Sequence, residues 1–403
     1  MFSNALPEDV LYILKTLNQA GYEAYIVGGC VRDSLLHTQP KDWDITTSAK
    51  PEETKRLFSH TFDTGIQHGT VTVVLNHVNY EVTTYRIEGD YTDCRRPSSV
   101  SFTKILQEDL LRRDFTMNAI AYHPEEGYQD FFHGMEDIRS KTIRGVGEPA
   151  LRFQEDALRM LRCVRFAAQL GFTVETETYN ALCENKELIQ KISVERIHDE
   201  LQKLWLCVHE EKMPLLWESG LLAQIDPLLS ERLMQGETAF LAYLGKTPKN
   251  PILRWTIILQ DYTVQEARIF LKKFKFDNDS QKQICLLLEN LKEELPTEGY
   301  PLRALGGKLG VDTVRQLITL QEILRPTSSF SKTAQCLDKI LADGDCLTLK
   351  QLTVDGQMLM ELGVPKGKEL GRLLVVLLDL VQRDPQWNQR EFLLEKAKEL
   401  MQG

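Results

Sequence analysis

Two glycines directly after a short apolar run constrain the fold of this 403-residue chain more than any other feature. The run is Ala24-Tyr25-Ile26-Val27, and Gly28-Gly29 follows it without a break. A short apolar run that ends in glycine is typical of a buried strand, and glycine permits the positive φ of a sharp turn. Residues 31–36 are predicted to form a helix, so the segment is expected to fold as strand, tight turn and helix.

An acidic pair, Asp42-Trp43-Asp44, lies shortly after this predicted helix. Alternation along a strand places Asp42 and Asp44 on one face and Trp43 on the other. Adjacent carboxylates repel each other unless a cation neutralises them, and the N–H groups of a Gly-Gly turn can approach a phosphate closely. The pattern predicts a Mg²⁺ site at Asp42 and Asp44 beside a phosphate-binding turn at Gly28 and Gly29. An acidic surface turn is the alternative.

Two further residues fit the same site. Phosphoryl transfer with two metal ions needs a third carboxylate on a neighbouring strand, and Glu81 lies in an alternating run that suits this position. An exposed strand residue is an equally good interpretation of Glu81. Arg32 lies on the helix after the glycines, where it can reach a triphosphate, and Asp33 can orient it.

A second polar cluster occurs at residues 112–118. If this segment is helical, Asp114 and Asn118 are i,i+4 neighbours and can hold a sugar hydroxyl together. Arg113 can contact a phosphate. The alternative is the solvated, charged end of a helix.

In a third cluster, Asp156, Arg159, Arg162 and Arg165 recur every three residues, which predicts a stripe along one helix. Apolar neighbours indicate a half-buried stripe that needs anions, and a solvated face with i,i+3 ion pairs is the alternative. Cytosine and adenine both present an amino donor beside a ring-nitrogen acceptor, which a carboxylate and a guanidinium can match. Uracil and guanine would leave these groups unpaired. Asp156 and Arg159 are therefore candidates for selecting C and A.

Composition excludes several classes of protein. No apolar stretch of about 18 residues occurs, so no membrane span is expected, and the first residues do not resemble a secretory signal. The eight cysteines form no CxxC pair, which predicts reduced thiols in a cytoplasmic protein rather than disulfides or a zinc site. The net charge of −10 does not suggest a nucleic-acid binder. Net charge is a weak guide, however, because a phosphate interacts with the local charge, and a local basic stripe can bind it.

Along the chain, the character changes near residue 148. Before it, short strands and helices alternate, including two strands at 70–75 and 80–85 joined by the predicted turn Asn76-His77-Val78-Asn79. After it, helical periodicity continues to the end, with breaks near 246–248, 296–301 and 325–326. The predicted fold class is an α/β head followed by an elongated all-α region.

These segments together resemble the class II tRNA nucleotidyltransferases, the bacterial type of CCA-adding enzyme within the tRNA nucleotidyltransferase and poly(A) polymerase family. The segments that carry the resemblance are VGGCVRD, DWDI, EVTTYR, GDYTDCRRPSSVSF, RRDFTMNAIAY, RFQEDALRMLRCVRFAAQLGF and ISVERIHDEL. The resemblance is close as far as ISVERIHDEL and looser beyond it.

The resemblance implies a nucleotidyltransferase head with a polymerase-β-like sheet at 1–147, a neck with the base-selecting helix at 148–210, a helical body at 211–300 and a tRNA-binding tail at 301–403. It implies that Asp42 and Asp44 hold the metal and that Asp156 and Arg159 select the base. The implied triphosphate contacts are Gly29, Arg32 and Arg113, with Arg162 and Arg165 supporting the nucleotide.

The implied reaction is attack by the 3′-hydroxyl of tRNA on the α-phosphate of CTP or ATP, with release of pyrophosphate. Relatives that add only CC lack the loop Asp90-Tyr91-Thr92-Asp93-Cys94-Arg95-Arg96-Pro97, so its presence implies that the terminal A is added too. Trp43 stands where a small aliphatic residue is common, and we expect only a packing difference. The implied partners are tRNA, CTP and ATP, with Mg²⁺ as cofactor; if the protein oligomerises, we expect a homodimer.

Three other functions remain open at this point. A bacterial poly(A) polymerase would use the same head on other RNAs, but the acidic charge and the absence of a basic tail disfavour it. A partial enzyme would add only CC or only A. An RNA-binding protein with an inactive head is disfavoured because such a head has no need of Asp42 and Asp44.

Overall fold

The computed structural model describes residues 6–65, 68–89 and 99–402. It divides into two compact units, Met1–Leu241 and Ala242–Gly403. The loop from Asp90 to Pro97, to which the sequence assigns addition of the terminal A, lies outside the described residues. The finer division into head, neck, body and tail stays a prediction.

The first unit is built on a mixed sheet. Its strands are β1 Ala24–Val27, β2 Asp44–Thr47, β3 Thr61–Gly65, β4 Thr70–Leu75, β5 Val78–Thr84, β8 Ala121–His123 and β9 Gly127–Gln129, and two small sheets add β6 Arg86–Glu88, β7 Val100–Phe102, β10 Thr142–Ile143 and β11 Thr173–Val174. The seven strands are ordered β3-β4-β5-β2-β1-β8-β9. Within this sheet β2 and β5 are parallel, and the other neighbouring strands are antiparallel.

Helices surround this sheet and continue beyond it. They are α1 Glu8–Gln19, α2 Gly29–Leu35, α3 Pro51–Leu57, α4 Leu106–Leu111, α5 Gly134–Ser140, α6 Pro149–Glu155, α7 Leu158–Leu170, α8 Thr176–Asn185, α9 Val194–Trp205, α10 Leu215–Glu218, α11 Leu221–Ile225, α12 Pro227–Gln235 and α13 Glu237–Lys246. Part of the core lies where β1 and β8 pack against α4, with Tyr25, Val27, Leu110 and Ala121 all buried. The α/β head predicted from the sequence is confirmed.

The glycine turn forms as predicted. Gly28 has a φ of +85°, and α2 begins at Gly29, two residues before the predicted helix start. A Cβ atom on Gly28 would lie 3.1 Å from Nη1 of Arg113 and would carry the strain of a left-handed backbone. The turn therefore needs glycine both for its φ and for the close approach of the arginine.

The hairpin between β4 and β5 has a shorter turn than predicted. Only Asn76 and His77 form it, both with positive φ, and Leu75 pairs directly with Val78. The prediction that Val78 and Asn79 belong to the turn was wrong, because both pair in the ladder. A two-residue turn with positive φ at both positions matches the twist of the strands it joins.

The predicted base-selecting helix is broken in two. The prediction of one helix through the third cluster was wrong, since α6 ends at Glu155, Asp156 is extended (φ −137°, ψ 101°) and α7 begins at Leu158. Oδ1 of Asp156 accepts a hydrogen bond from the N–H of Leu158 at 3.1 Å, which stabilises the non-helical conformation. The expected all-α neck also contains a strand, because β11 pairs with β10 in parallel.

The second unit is helical in its described part. Its helices are α14 Pro251–Ile258, α15 Val264–Lys273, α16 Asn278–Asn290, α17 Gly299–Leu309, α18 Val311–Leu324, α19 Ser331–Ala342, α20 Gly356–Glu361, α21 Lys368–Arg383 and α22 Arg390–Gln402. The predicted breaks near 246–248 and 325–326 lie between α13 and α14 and after α18, whereas the break predicted at 296–301 is shorter, because α17 already begins at Gly299. Leu359, Leu377 and Leu393 belong to a core shared by α20, α21 and α22. Among the described residues, no helix has the length and apolar character needed to span a membrane.

Candidate active site

A cavity of about 590 Å³ opens in the first unit where β1 ends and β2 begins. It collects most of the residues that the sequence singled out, although they come from distant parts of the chain. Those that line it are Gly28, Gly29, Arg32, Asp42, Asp44, Arg113, Asp114, Asn118, Arg162 and Arg165. Glu81, Asp156 and Arg159 are not among its lining residues.

The carboxylate edge of this cavity consists of Asp42 and Asp44. Asp44 is the first residue of β2, and Asp42 precedes the strand, but both face the cavity while Trp43 is buried, as the alternation predicts. Glu81 is the partner of Asp44 in the parallel register of β5. The pKa of Asp44 is raised to about 6, mainly by desolvation and with smaller contributions from Glu81 and Asp42, while the positive charge of Arg113 opposes the rise. The edge thus carries more negative charge than the protein compensates.

Arg113 lies across the turn from this edge. Its Nη1 approaches Gly28, and Nη2 lies 3.7 Å from Oδ2 of Asp109. Among the residues that the structure describes, its Nε has no hydrogen-bond partner. Burial lowers the pKa of this guanidinium. Unsatisfied buried donors are costly, so the position favours an anionic ligand.

Asp109 is a fully buried carboxylate that sequence reasoning missed. It accepts hydrogen bonds from Nε of Arg112 at 3.0 Å and from Oγ1 of Thr46 at 3.0 Å, which connects α4 to β2. The available signal was its spacing, because Asp109 precedes Arg112 and Arg113 by three and four residues in a helical segment.

A hydrogen-bonded chain joins the glycine turn to the second cluster. Arg32 donates to Oδ1 of Asp33 from Nε at 2.9 Å and to Oδ1 of Asn118 from Nη1 at 2.7 Å, and Asn118 donates to Oδ1 of Asp114 at 3.0 Å. The helix that would make Asp114 and Asn118 i,i+4 neighbours does not form: α4 ends at Leu111, and Asn118 lies in a 3₁₀ turn, Thr116–Asn118. The two side chains meet nevertheless, and Arg32 is held within the protein.

Asp114 has a strong partner on α7. Nε and Nη2 of Arg162 donate to Oδ2 of Asp114 at 2.9 and 2.6 Å. Burial alone would raise the pKa of Asp114, but Arg162 and Asn118 hold it well below its usual range. Asp114 therefore stays ionised and accepts hydrogen bonds from both sides.

The arginine wall of the cavity consists of Arg32, Arg162 and Arg165 around the ring of Phe166. Their guanidinium carbons lie 5.0, 5.2 and 4.1 Å from the ring centroid, within range of cation–π attraction. Each guanidinium also has its own carboxylate, and for Arg165 it is Oε2 of Glu200 at 2.6 Å. In the sequence, Phe166 is recognisable only as an apolar residue beside the arginine stripe. No sequence pattern indicates that Glu200 pairs with Arg165.

The proposed base-selecting residues lie at the junction of α6 and α7. Arg159 donates to Oε2 of Glu155 from Nη1 at 2.6 Å and to the carbonyl oxygen of Arg112 from Nη2 at 2.6 Å. Asp156 pairs with Arg196 of α9 at 2.8 Å. Both side chains are thus engaged by protein groups rather than by each other.

Comparison with known proteins identifies the family. Sequence models match three stretches: the Poly A polymerase head domain at residues 24–144, the RNA and SrmB-binding site of polymerase A at 171–233, and the tRNA nucleotidyltransferase domain 2 at 247–397. The CCA-adding enzyme of Lactobacillus johnsonii is 37% identical, with 93% of this chain and 91% of that protein covered. That of Streptococcus suis is 39% identical, with 92% of each covered. The chain belongs to the CCA-adding enzymes.

A solved structure supports the same membership. The Bacillus stearothermophilus CCA-adding enzyme in complex with CTP is 34% identical, with a TM-score of 0.84 over 98% of this chain and 97% of that chain. The recognition made from the sequence motifs is confirmed, and so is the fold class. As a CCA-adding enzyme, the protein is a tRNA nucleotidyltransferase.

Nucleotidyltransferases of this family generally use a divalent metal, and the carboxylate edge fits one. A divalent cation would relieve the repulsion that contributes to the raised pKa of Asp44. Among the described residues, no group of three or more His, Cys, Asp or Glu side chains is arranged to hold a metal ion. Two carboxylates are compatible with a divalent metal such as Mg²⁺, which proteins usually bind through one or two carboxylates together with water and substrate phosphates.

Proposed function

We propose that this protein adds the sequence CCA to the 3′ end of tRNA, using CTP and ATP, releasing pyrophosphate and reading no template. The observation that carries the proposal is the cavity, in which an uncompensated carboxylate edge faces an arginine wall. The names of the relatives that match nearly the whole chain support the product, and the solved relative binds CTP. The match to a tRNA nucleotidyltransferase domain supports tRNA as the acceptor.

Mg²⁺ is the proposed cofactor, held by Asp42 and Asp44. Bound there, it would supply charge stabilisation for the attacking and leaving oxygens of the transfer. Glu81 is the proposed third carboxylate, supported by its register beside Asp44. Carboxylate oxygens are the ligands that Mg²⁺ prefers.

The triphosphate is proposed to lie over the turn at Gly28 and Gly29, against Arg113. The missing Cβ of Gly28 leaves room for close approach, and the Nε of Arg113 finds no acceptor in the described part of the chain. Arg32 contributes mainly by its positive charge, because Asp33 and Asn118 already occupy its guanidinium.

The sugar and base are proposed to lie toward α7. Asp114 and Asn118 offer acceptor and donor groups for a sugar hydroxyl, and Arg162 and Arg165 support the nucleotide from the arginine wall. Asp156 and Arg159 are proposed to select C and A by the complementarity of a carboxylate and a guanidinium to their base edges. Arg159 would exchange a protein carbonyl for the ring nitrogen of the base.

The proposed compartment is the cytoplasm. The cysteines in the described part of the chain, Cys30, Cys163, Cys183, Cys207, Cys285, Cys336 and Cys346, are all free, which suits a reducing environment. A homodimer stays a prediction that light scattering of the purified protein would check.

The test is nucleotide addition to a tRNA that ends at the discriminator base. Purified protein and Mg²⁺ are incubated with this tRNA and with CTP alone, ATP alone, or both. We expect two added residues with CTP alone and three with both nucleotides, resolved on a sequencing gel. A long A tail on an unrelated RNA would instead indicate a poly(A) polymerase. Addition that stops at CC in the presence of both nucleotides would contradict addition of the terminal A.

A further inference from the structure

We propose that Arg196 of α9 is a positioning residue for nucleotide choice, because it fixes the orientation of the Asp156 carboxylate. The inference rests on the proposed function, in which Asp156 accepts a hydrogen bond from the amino group of the base. Arg196 belongs to the segment ISVERIHDEL, whose Glu200 pairs with Arg165 of the arginine wall, and its own pairing with Asp156 has so far been given no role in the proposed function.

The contact between the two side chains has the fork geometry of a paired arginine and carboxylate. Nη2 of Arg196 donates to Oδ2 of Asp156 at 2.8 Å, and Nη1 donates to Oδ1 at 3.3 Å. Two parallel bonds fix the plane of a carboxylate, whereas a single bond leaves it free to rotate. This matters at Asp156 because its backbone is extended between two helices and lacks the restraint of a regular helix.

The hydrogen bonds at Asp156 also show which oxygen can meet a ligand. Oδ1 accepts from Nη1 of Arg196 and from the N–H of Leu158, while Oδ2 accepts only from Nη2 of Arg196 among the described residues. Each carboxylate oxygen has room for about two donors. One acceptor position therefore remains on Oδ2, and the fork determines its direction.

Helix α9 holds a second group of the proposed site. Oε2 of Glu200, one turn after Arg196, accepts a hydrogen bond from Nε of Arg165 at 2.6 Å. By contrast, Arg159 is held by Glu155, four residues before it, and by the carbonyl oxygen of Arg112. The base-selecting carboxylate is thus positioned from a different helix than the base-selecting guanidinium, and the orientation of Asp156 can be disturbed separately.

The experiment compares R196M and R196K with wild type and with K203M. Lys203 is an exposed cation on the same helix that pairs with Glu200, so K203M removes a charge from α9 without removing a contact to Asp156. The measurement is kcat/KM for CTP and UTP on tRNA ending at the discriminator base, and for ATP and GTP on tRNA ending in CC. We expect R196M to lower both selectivity ratios about tenfold, the scale of one well-oriented hydrogen bond.

The conservative variant separates orientation from charge. Lysine keeps the positive charge but lacks the planar fork, so R196K should lose about threefold in both ratios. K203M should keep the wild-type ratios. A merely structural role would lower kcat/KM for all four nucleotides alike, and unchanged ratios in R196M would overturn the proposal.

Two further outcomes keep the test decisive. Should R196M fail to fold, as judged by its thermal melt, R196K decides, and a wild-type ratio in R196K overturns the proposal. If wild type itself shows no preference for C and A, the proposed function fails first. If wild type discriminates and both Arg196 variants discriminate equally well, only the inference about Arg196 fails.

Discussion

The carboxylate edge and the arginine wall line the same cavity, yet the protein neutralises the charges of the wall and leaves those of the edge largely uncompensated. In the wall, Arg162 is paired with Asp114 and Arg165 with Glu200, and the pKa of Asp114 lies well below its usual range. At the edge, the pKa of Asp44 is raised to about 6 because its charge is desolvated and has carboxylate neighbours. The charges of the wall are already paired in the ligand-free protein. The carboxylates of the edge, in contrast, need additional positive charge, which a bound cation would supply.

The difference separates two ways of building a binding site. A compensated wall gives the cavity a fixed shape, and breaking one of its buried pairs leaves a charge without a partner, which costs about 3–5 kcal/mol. An uncompensated edge weakens the ligand-free protein but gains binding energy for a cation. Substitutions at the edge should therefore affect catalysis most, and substitutions in the wall should affect both stability and binding.

The largest expected effect is the loss of catalysis in D44N. Without this carboxylate the proposed metal would keep a single ligand at the edge, so we expect nucleotide transfer to fall at least about 1,000-fold, on the several-kcal/mol scale of metal-ion catalysis. D63N, at an exposed surface aspartate, is the control and should keep wild-type activity. Transfer by D44N within about tenfold of wild type would contradict the metal role. In the same assay, a loss in E81Q as large as that in D44N would support Glu81 as a third ligand.

The next effect concerns Arg113, which lies beside the carboxylate edge and whose Nε has no acceptor among the described residues. R113M should raise the KM for CTP and ATP alike by about 10- to 100-fold, since it removes a charge-assisted contact to phosphate. R56M removes an arginine from the exposed face of α3 and should leave both KM values unchanged. Steady-state kinetics at saturating tRNA check this, and an unchanged KM in R113M would place the triphosphate elsewhere.

A smaller effect is expected from the aromatic centre of the wall. F166L removes the ring shared by three guanidinium groups and should lower the free energy of unfolding by about 2–3 kcal/mol, the sum of lost packing and cation–π attraction. F62L, at a phenylalanine that is 62% exposed, should change it by less than about 0.5 kcal/mol. Urea denaturation measures both values. Equal losses in the two variants would show that the wall does not depend on its ring.

The smallest expected effect is a pH-dependent gain in stability in D44N without metal. Asp44 has a higher pKa in the folded protein than its ordinary value of 3.8, so its ionisation destabilises the fold above about pH 6, and this penalty disappears as the pH falls toward 4. At pH 7.5 we expect D44N to be more stable by about 1 kcal/mol, because solvent access screens much of the penalty.

Thermal or urea unfolding in the presence of a chelator at pH 7.5 and pH 4 checks this gain. The gain should be present at pH 7.5 and absent at pH 4. Saturating Mg²⁺ should stabilise wild type and leave D44N unchanged. A D44N protein less stable than wild type at pH 7.5 would show that the edge is compensated after all.

Local patterns predicted the parts of the site that depend on local structure. The Gly28-Gly29 turn, β1 and the alternation around Trp43 follow from neighbouring residues, and the structure has them in place. The helix break at Asp156 was missed, because one extended residue leaves the three-residue spacing of the charges unchanged.

Partners that are distant in sequence could not be predicted. Glu200 is paired with Arg165 across 35 positions, and Arg196 with Asp156 across 40. In the sequence, each of these four residues has several oppositely charged residues with which it could pair. Only the packing of α7 against α9 selects among them. The role of Phe166 likewise depends on three arginines meeting at one ring, and Arg32 comes from a separate helix.

The hydrogen bond from Arg159 to the carbonyl oxygen of Arg112 connects two tasks through the backbone itself. Arg113, proposed to contact the triphosphate, is the next residue in the chain. A single peptide unit therefore links the carbonyl that holds Arg159, the proposed base contact, to Arg113, the proposed phosphate contact. If Arg159 exchanges that carbonyl for a base, as proposed, the peptide loses a hydrogen bond on the side of Arg112, and its nitrogen belongs to Arg113, whose guanidinium lies near Asp44. A nucleotide with a mismatched base would then react more slowly as well as bind more weakly, because the position of Arg113 beside the reacting phosphate would change with it.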